Sequence, residues 1–259
     1  MDEPQKAGID QLERSGYLPQ LRRLAQRMCA PFWWSTAGTD RKHFILHNGT
    51  VCFLNTGSRL IAISADHVYA AYLADKARYP DLGCQFGGAT FTPEEYLIDR
   101  DTALDLATFD FPELLIAPAG AIAHYPVTWP TPLVQKREVV LLGGYPGNLR
   151  EEKVTIAEIP FQTFALPVTD VLPDHMILHL DLPNVHWPFH EEQAINDRFY
   201  GASGGPVFRC IEAAPIDRLE LVGFIFEYSE SFDIVRATHA SKVASDGRIV
   251  RSDDAAIRF

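Results

Sequence analysis

Apolar positions near the start of the chain recur at the spacing of a helix. Four of them lie three or four residues apart or side by side after Pro19: Leu21, Leu24, Ala25 and Met28. Residues at this spacing share one face of an α-helix. Proline suits the first turn of a helix and interrupts one from within, so Pro19 and Pro31 bracket the predicted element. The pattern predicts one amphipathic helix packed on the surface of the main domain.

After residue 40 the pattern changes to short runs of Leu, Val, Ile and Phe, broken by Gly, Pro, Asn and Asp. Such runs are typical of strands joined by turns. The first set of predicted strands comprises His43–His47, Val51–Leu54, Arg59–Ser64, Tyr96–Ile98 and Leu104–Phe109. A proline-rich linker is predicted next, with Pro118, Pro126, Pro130 and Pro132. The second set comprises Glu138–Leu142, Lys153–Phe164, Met176–Leu180, Pro206–Ile211, Glu220–Phe226 and Asp233–Ala237. The pattern predicts a mostly β chain in two halves, and either two barrels or a sandwich fits it.

Size and charge narrow the classes of function. The chain has 259 residues, of which 47% are hydrophobic, enough for one large domain or two small ones. Its net charge is −11, and Lys and Arg form no cluster. Nucleic acid is therefore excluded as a partner, because phosphate neutralisation needs clustered cations. No apolar run approaches the roughly 18 residues of a membrane helix, so no membrane partner is predicted.

The cysteines and the first residues bear on the compartment. Cys29, Cys52, Cys84 and Cys210 form no C-x-x-C pair, and we interpret them as buried thiols in a reducing compartment. The start, MDEPQKAGID, lacks the basic and apolar regions of a secretory signal. A cytoplasmic location is expected.

The most informative segment for chemistry is Gly201-Ala202-Ser203-Gly204-Gly205-Pro206-Val207. A nucleophilic serine needs a tight turn of small residues, in which a substrate carbonyl can approach the backbone. The N–H groups of Gly201 and Ser203 are candidates for an oxyanion hole, where one donor is worth about 10²–10³ in rate. Gly, Ser and Pro also favour ordinary turns, so an inert turn is the alternative interpretation.

A general base and a group that orients it are available upstream. His67 follows the apolar run Leu60–Ile63, and a histidine just past a strand end is held firmly while its ring stays accessible. Asp105 lies in an otherwise apolar stretch, where a carboxylate needs a hydrogen-bonding partner such as an imidazole N–H. An ordinary loop role for His67, a strand-end cap for Asp105 and Asp101 as a rival carboxylate remain open.

The segments SADHV, DLA and GASGGP carry His67, Asp105 and Ser203 in that order. They resemble the three catalytic boxes of the trypsin/chymotrypsin superfamily. Two further segments, Leu141–Gly147 and Leu221–Ile225, resemble family strands, and the likeness spans roughly residues 40–245. The resemblance implies a mainly β fold of two six-stranded-type antiparallel barrels with a short N-terminal helical extension. The expected division is 1–38 for the extension, 39–128 and 129–247 for the barrels, and 248–259 for a tail.

The resemblance also implies an activity. A serine endopeptidase would cleave peptide bonds through a Ser-His-Asp triad and an acyl-enzyme, without metal or organic cofactor. Ala202 and Val68 replace an aspartate and a cysteine of the digestive enzymes, which makes the chain more similar to intracellular bacterial members. Asp66 replaces a small residue before His67, so which carboxylate pairs with the histidine stays open.

Specificity is harder to predict. Asp197 lies six residues before Ser203, the offset of the acidic S1 floor in trypsin-like enzymes. Arg198 is adjacent and could neutralise its charge, so a preference for basic residues stays open. Phe224 and Phe226 lie on the strand that resembles the cleft wall, and Glu227 follows them. These four residues are the candidate substrate-binding set: Asp197, Phe224, Phe226 and Glu227.

One histidine-rich stretch is a candidate metal site. It contains His175, His179, His186 and His190, with Asp181, Glu191 and Glu192 nearby. Histidines four apart share an ion on a helix, but in a strand they lie about 13 Å apart. We therefore predict no metal site.

Two other functions compete with a peptidase. A protease-like scaffold could bind peptides without cutting them, although such a module has no need of all three catalytic residue types. An esterase could use the same triad, but a strand-like run follows Ser203 where the esterase elbow needs a helix. The expected partner is a protein or peptide substrate, and a regulatory protein partner is left open.

Overall fold

The computed structural model describes residues 16–37, 44–147, 151–152, 157–180, 201–211 and 218–251. Three α-helices lie in these ranges: α1 (Tyr17–Arg27), α2 (Asp66–Arg78) and α3 (Pro93–Tyr96). Short 3₁₀ turns occur at Glu113–Leu115, Glu230–Phe232 and Ala240–Lys242. Most of the remaining elements are strands.

The N-terminal half forms one antiparallel sheet of seven strands. They are β1 (Cys29–Ala37), β2 (Phe44–Asn55), β3 (Leu60–Ser64), β4 (Cys84–Phe86), β5 (Ala89–Phe91), β6 (Leu97–Asp101) and β7 (Leu106–Asp110). Their order is β5-β4-β1-β2-β3-β7-β6, so β5 and β6 lie at its two ends.

The C-terminal half forms a closed barrel and a small separate pair. The strands are β8 (Val139–Gly144), β9 (Glu151–Glu152), β10 (Ala157–Glu158), β11 (Gln162–Val171), β12 (His175–His179), β13 (Pro206–Ile211), β14 (Arg218–Ser229) and β15 (Ile234–His239). The barrel runs β11-β12-β15-β14-β13-β8, and β9 and β10 pair in a separate two-stranded sheet. The mainly β prediction in two strand sets is confirmed, with one closed six-stranded barrel and one seven-stranded sheet.

Two predictions about the N-terminal region need correction. The helix α1 ends at Arg27, and Met28 closes it by donating its N–H to Ala25 O. Pro31 does not end the helix; it lies inside β1, opposite Thr50 of β2. Residues 29–37, assigned from sequence to the helical extension, thus form a strand within the first sheet.

The helix α2 was not predicted at all. It follows β3 directly, and Val68, Tyr69 and Tyr72 bury its inner side against the aromatic core of the first sheet. The sequence placed His67 just past a strand end, and the structure adds that this region is the first turn of a helix.

The two halves meet through apolar side chains. One core cluster combines Leu54, Ile63 and Leu106 of the first sheet with Phe208 and Leu221 of the barrel. Interdigitated apolar surfaces resist sliding, so this cluster fixes how the halves face each other.

The segment after β15 returns to the first sheet. Thr56 Oγ1 donates to Ser245 O at 2.6 Å, and Thr108 Oγ1 donates to Gly247 O at 2.7 Å. Residues 240–251 therefore join the barrel's end to the sheet that carries His67. Within the described ranges, every helix is too short or too polar to span a membrane.

Candidate active site

His67 stands at the start of α2, immediately beyond β3. Ala65 is the residue before the helix, and His67 is its second residue. The backbone there is fixed by the buried strand end at Ser64, whereas the imidazole is 52% exposed. A rigid backbone with an open ring suits a proton acceptor.

Asp105 holds this histidine with both carboxylate oxygens. Its Oδ2 lies 2.6 Å from His67 Nδ1, and its Oδ1 accepts the His67 backbone N–H at 2.8 Å. The first N–H groups of a helix lack internal partners, so the carboxylate also caps α2. Because Nδ1–H faces the carboxylate, Nε2 is left as the acceptor nitrogen.

The local setting of Asp105 differs from the prediction. It lies in a turn before β7 rather than inside a strand, and its φ is +50°. Aspartate tolerates this left-handed conformation better than most residues. The turn directs the Asp105 side chain toward the first turn of α2. That side chain is only 15% exposed.

The two rival carboxylates are engaged elsewhere. Asp66 is buried and accepts two bonds from Arg100, at 2.6 Å from Nε and 2.9 Å from Nη2. Asp101 Oδ1 accepts the N–H groups of Ala103 and Leu104, both at 2.9 Å. The carboxylate on His67 is thus that of Asp105.

The serine turn requires glycine on both sides of Ser203. Gly201 has φ +92° and Gly204 has φ +85°, a region that side chains disfavour. A Cβ on Gly201 would lie 2.6 Å from Asn48 Nδ2, and one on Gly204 only 2.1 Å from Thr50 O. The turn therefore packs directly on β2 of the first sheet.

The backbone donors of this turn fall into two pairs. Gly204 N–H donates to Ile225 O at 2.7 Å, and Gly205 N–H donates to Ala202 O at 2.8 Å. Within the described residues, the N–H groups of Gly201 and Ser203 donate to no acceptor. These are the donors that the sequence assigned to an oxyanion hole.

His67 and Ser203 line the same cavity, which has a volume of about 400 Å³. Its other lining residues come from both halves: Trp34, His47, Asn48, Val68, Ala71, Gly201, Phe226, Glu227 and Tyr228. Among the parts of the chain that the structure describes, the Ser203 hydroxyl makes no hydrogen bond to His67.

The candidate specificity residues do not all reach this cavity. Phe226 and Glu227 line it, whereas Phe224 is 1% exposed and packs in the core between the halves. An irregularity in the pairing of β14 with β15 between Ile225 and Glu227 explains the correction, because it breaks the alternation that would place Phe224 and Phe226 on the same face. Asp197 and Arg198 lie outside the described residues. Glu227 accepts a bond from Arg236 Nη1 at 2.7 Å, which offsets its charge.

Sequence reasoning missed one wall of the cavity. Trp34 of β1 and His47 of β2 stack with ring centroids 5.3 Å apart, and Trp34 Nε1 donates to Asp75 Oδ2 at 2.9 Å. The alternation of Phe32, Trp34 and Thr36 was a strand signal that could have found β1.

The histidine-rich stretch forms no metal centre in the described ranges. His175 and His179 lie on β12, and His175 packs edge-on against Phe226 at 5.8 Å. Burial and the nearby Arg236 lower the pKa of His175. His186, His190, Asp181, Glu191 and Glu192 lie outside the described residues.

The fold and the geometry of the site together define a class of protein. It is a predominantly antiparallel β protein in which a histidine–aspartate pair on one sheet shares a cavity with a serine turn from a closed barrel. This is the arrangement that the resemblance to the chymotrypsin superfamily predicts.

Comparison with known proteins adds little beyond this class. No protein-family model matches the chain, and no curated protein matches it. The chain is similar to the serine protease domain of the Sesbania mosaic virus polyprotein, with 12% identity, 83% of this chain and 89% of that chain covered, and a TM-score of 0.44. It is also similar to a structure from work on coupled folding and binding of the intrinsically disordered Sesbania mosaic virus VPg protein, with 14% identity, 84% and 94% covered, and a TM-score of 0.45. Likenesses this distant do not bear on activity, and the bacterial intracellular subtype stays a prediction.

Proposed function

We propose that this chain is a serine endopeptidase. In the proposed reaction Ser203 Oγ attacks a peptide carbonyl while His67 Nε2 takes the hydroxyl proton. His67 then gives that proton to the departing amine, and an acyl-enzyme remains. Water, activated by the same histidine, releases the acid and restores Ser203.

The observation that carries this proposal is the His67–Asp105 pair beside Ser203. With Nδ1 at 2.6 Å from the carboxylate, the imidazole is held in the tautomer that a general base needs. Asp105 also stabilises the positive charge that His67 acquires in the transition state. A lone surface histidine would have neither advantage.

The unused N–H groups of Gly201 and Ser203 support the same chemistry. A tetrahedral intermediate places negative charge on the former carbonyl oxygen, and two adjacent backbone donors would stabilise it. Phe226 and Glu227 are the proposed substrate-contacting residues, on the strand that borders the cavity.

The direct test is labelling with a fluorophosphonate probe, read by intact mass. Wild type should gain one adduct, and Ser203→Ala and His67→Ala should gain none within the same time. Digestion of a peptide library and of simple esters would then separate a peptidase from an esterase. Absence of an adduct on folded wild type would contradict the proposal.

A non-cleaving peptide-binding scaffold is the second candidate. It is favoured by one observation, the absence of a hydrogen bond between Ser203 and His67 in the described residues. Catalytic hydrogen bonds often form fully only when substrate is bound, so a peptidase without substrate can also lack this bond. A scaffold would bind library peptides without labelling or cleavage.

The proposed setting is the cytoplasm, with a protein or peptide as substrate. Support comes from the four cysteines, all of which have free thiols. Cys29 and Cys52 lie directly opposite each other on β1 and β2 and are still unpaired. Unpaired neighbours of this kind are typical of proteins kept in a reducing compartment.

A further inference from the structure

Thr50, a buried residue of β2, meets the serine turn with nearly all of its polar groups. Its backbone N–H donates to Ser203 O at 2.9 Å, and its Oγ1 donates to Gly201 O at 2.9 Å. The same Oγ1 accepts the Tyr145 N–H at 3.0 Å. One residue of the first sheet thus holds the carbonyls on both sides of the Ala202–Ser203 dipeptide.

The hydroxyl has a role that the methyl group of Thr50 cannot share. Its single hydrogen goes to Gly201 O, and one lone pair receives the Tyr145 N–H, so the hydroxyl is donor and acceptor at once. Because Tyr145 follows β8 and Gly201 precedes β13, the hydroxyl joins two segments of the barrel to the first sheet.

The carbonyl of Thr50 points toward the histidine side. It accepts the Ser64 hydroxyl at 2.8 Å, and Ser64 is the last residue of β3, three positions before His67. Gly204 packs into the same corner, where an added Cβ would lie 2.7 Å from Ser64 Oγ. Thr50 therefore contacts both the turn of the nucleophile and the strand that leads to the base.

We infer that Thr50 is a positioning residue for catalysis: its hydroxyl sets where the Gly201–Ser203 turn lies relative to His67. This inference rests on the proposed function. Thr50 does not contact the substrate in this role, so it should govern the rate of acylation rather than binding. Misplacement of a reacting group by about 1 Å costs on the order of 10²-fold in rate.

Matched variants separate the hydroxyl from the packing. Thr50→Val keeps the shape and removes the hydroxyl, whereas Thr50→Ser keeps the hydroxyl and removes the methyl. Thr131 offers a control, because it is also buried and its Oγ1 donates to a backbone carbonyl, Leu221 O, at 2.7 Å. Thr131→Val loses a comparable bond, but one that ends on β14 and not on the serine turn.

The experiment is the rate of fluorophosphonate labelling in the full chain, followed by kcat and KM on a cleaved library peptide. Thr50→Val should label and turn over about 10²-fold more slowly with KM little changed. Thr50→Ser should stay within a few-fold of wild type, and Thr131→Val should label normally. If Thr50→Val fails to fold by circular dichroism, Thr50→Ala removes the hydroxyl without adding a methyl near Gly201 O.

The opposing outcomes are distinct. Equal rates for wild type and the folded hydroxyl-free variant would overturn the positioning role while the peptidase proposal stands. Equal losses in Thr50→Ser and Thr50→Val would show that the fit of the whole side chain, and not its hydroxyl, sets the rate, and would also overturn the positioning role. No labelling of wild type would remove the peptidase proposal itself, and with it any reaction for Thr50 to position.

Discussion

Asp105 combines two roles in one carboxylate. One carboxylate oxygen faces the imidazole of His67, and the other caps the helix on which that imidazole is mounted. Any shift of the helix end therefore moves the ring and the carboxylate together. The left-handed φ of +50° directs the side chain there.

Removing the charge of Asp105 while keeping the shape of its side chain tests this arrangement. Asp105→Asn should keep the turn and one helix-capping oxygen, so stability should fall by only about 1 kcal/mol. Labelling should slow by roughly 10⁴-fold, because an amide donor facing Nδ1 selects the wrong tautomer. The measurements are labelling rate and urea unfolding.

Asp233→Asn is the matched control for that substitution. Asp233 also has φ +50° but lies in the turn just before β15. It should label at the wild-type rate. A labelling rate for Asp105→Asn within tenfold of wild type would show that His67 is not oriented by this carboxylate.

His124 is a buried titratable group outside the site. It is 3% exposed, its Nε2 has no hydrogen-bond partner among the described residues, and burial lowers its pKa to about 4. The unfolded chain, with a pKa near 6.5, binds a proton at a pH where the native chain does not. Stability is therefore lost as the pH falls from about 6.5 toward 4.

The size of this effect can be predicted. Between about pH 7.5 and pH 5, His124 should account for a loss of about 2 kcal/mol in unfolding free energy. Burial also lowers the pKa of His239, which adds a loss of the same sign. Urea unfolding at both pH values should show a smaller difference for His124→Asn. An unchanged difference would contradict the assignment.

At the scale of elements, the start of α2 depends on an ion pair. Asp66 is buried in the first turn of the helix, and Arg100 of β6 reaches it with two nitrogens. The guanidinium also lies 5.3 Å from the Tyr69 ring centre. The pair ties the helix that carries His67 to the strand that precedes Asp105.

Removing one partner should be costly. Arg100→Ala leaves the Asp66 carboxylate buried and unpaired, so unfolding free energy should drop by about 3 kcal/mol. Arg59→Ala, whose Arg59–Asp110 pair is exposed on both sides, should cost less than about 1 kcal/mol. Adding Asp66→Asn to Arg100→Ala should recover part of the loss. No recovery would mean that packing of the Arg100 stem dominates.

Sequence patterns predicted elements well where one short apolar run is bounded by turn residues. The strand β13 has the predicted ends Pro206 and Ile211. Patterns failed where two signals overlapped. Pro31 suggested a break inside β1, and the sequence Asp66–Arg78 mixes buried tyrosines with polar residues too evenly to stand out as a helix.

The sequence allowed us to predict which residues belong to the site but not how they are arranged in space. His67, Asp105 and Ser203 could be predicted because each lies in a short sequence motif that can be recognised from its immediate neighbours. The contacts of Thr50 and the stack of Trp34 on His47 join residues far apart in the chain, so no local pattern contains them. Whether the Phe224 side chain faces the core or the cavity likewise depends on how β14 pairs with its neighbouring strands, and no local sequence pattern specifies that pairing.

At the scale of the whole molecule, Arg251 anchors the segment 240–251 to the first sheet through two aspartates. We call this set of ion pairs the clamp. Arg251 donates to Asp101 Oδ2 at 2.8 Å and to both oxygens of Asp99 at 2.9 and 3.1 Å. Burial opposes ionisation of Asp99, yet the hydrogen bonds from Arg251 hold its pKa below the usual value. Asp101 in turn holds the N–H groups that lead to Asp105.

Loss of this clamp should affect both stability and reactivity. Arg251→Ala should lower unfolding free energy by about 2 kcal/mol, the range for hydrogen bonds to charged groups. Labelling of Ser203 should slow as the turn before Asp105 loosens. Arg248→Ala, whose side chain is 79% exposed, should change neither. A normal labelling rate in Arg251→Ala would show that the turn holds without the clamp.

The path of the chain also orders events in time. A ribosome makes the first sheet early and residues 240–251 last among the elements that join it, and nascent domains fold as they emerge. The His67–Asp105 pair should reach its final geometry only after residue 251 has left the exit tunnel. Stalled chains with a long C-terminal linker should label with fluorophosphonate, and chains stalled before residue 240 should not. Under the proposed function, the nascent chain cannot react until residues 240–251 have emerged and joined the first sheet.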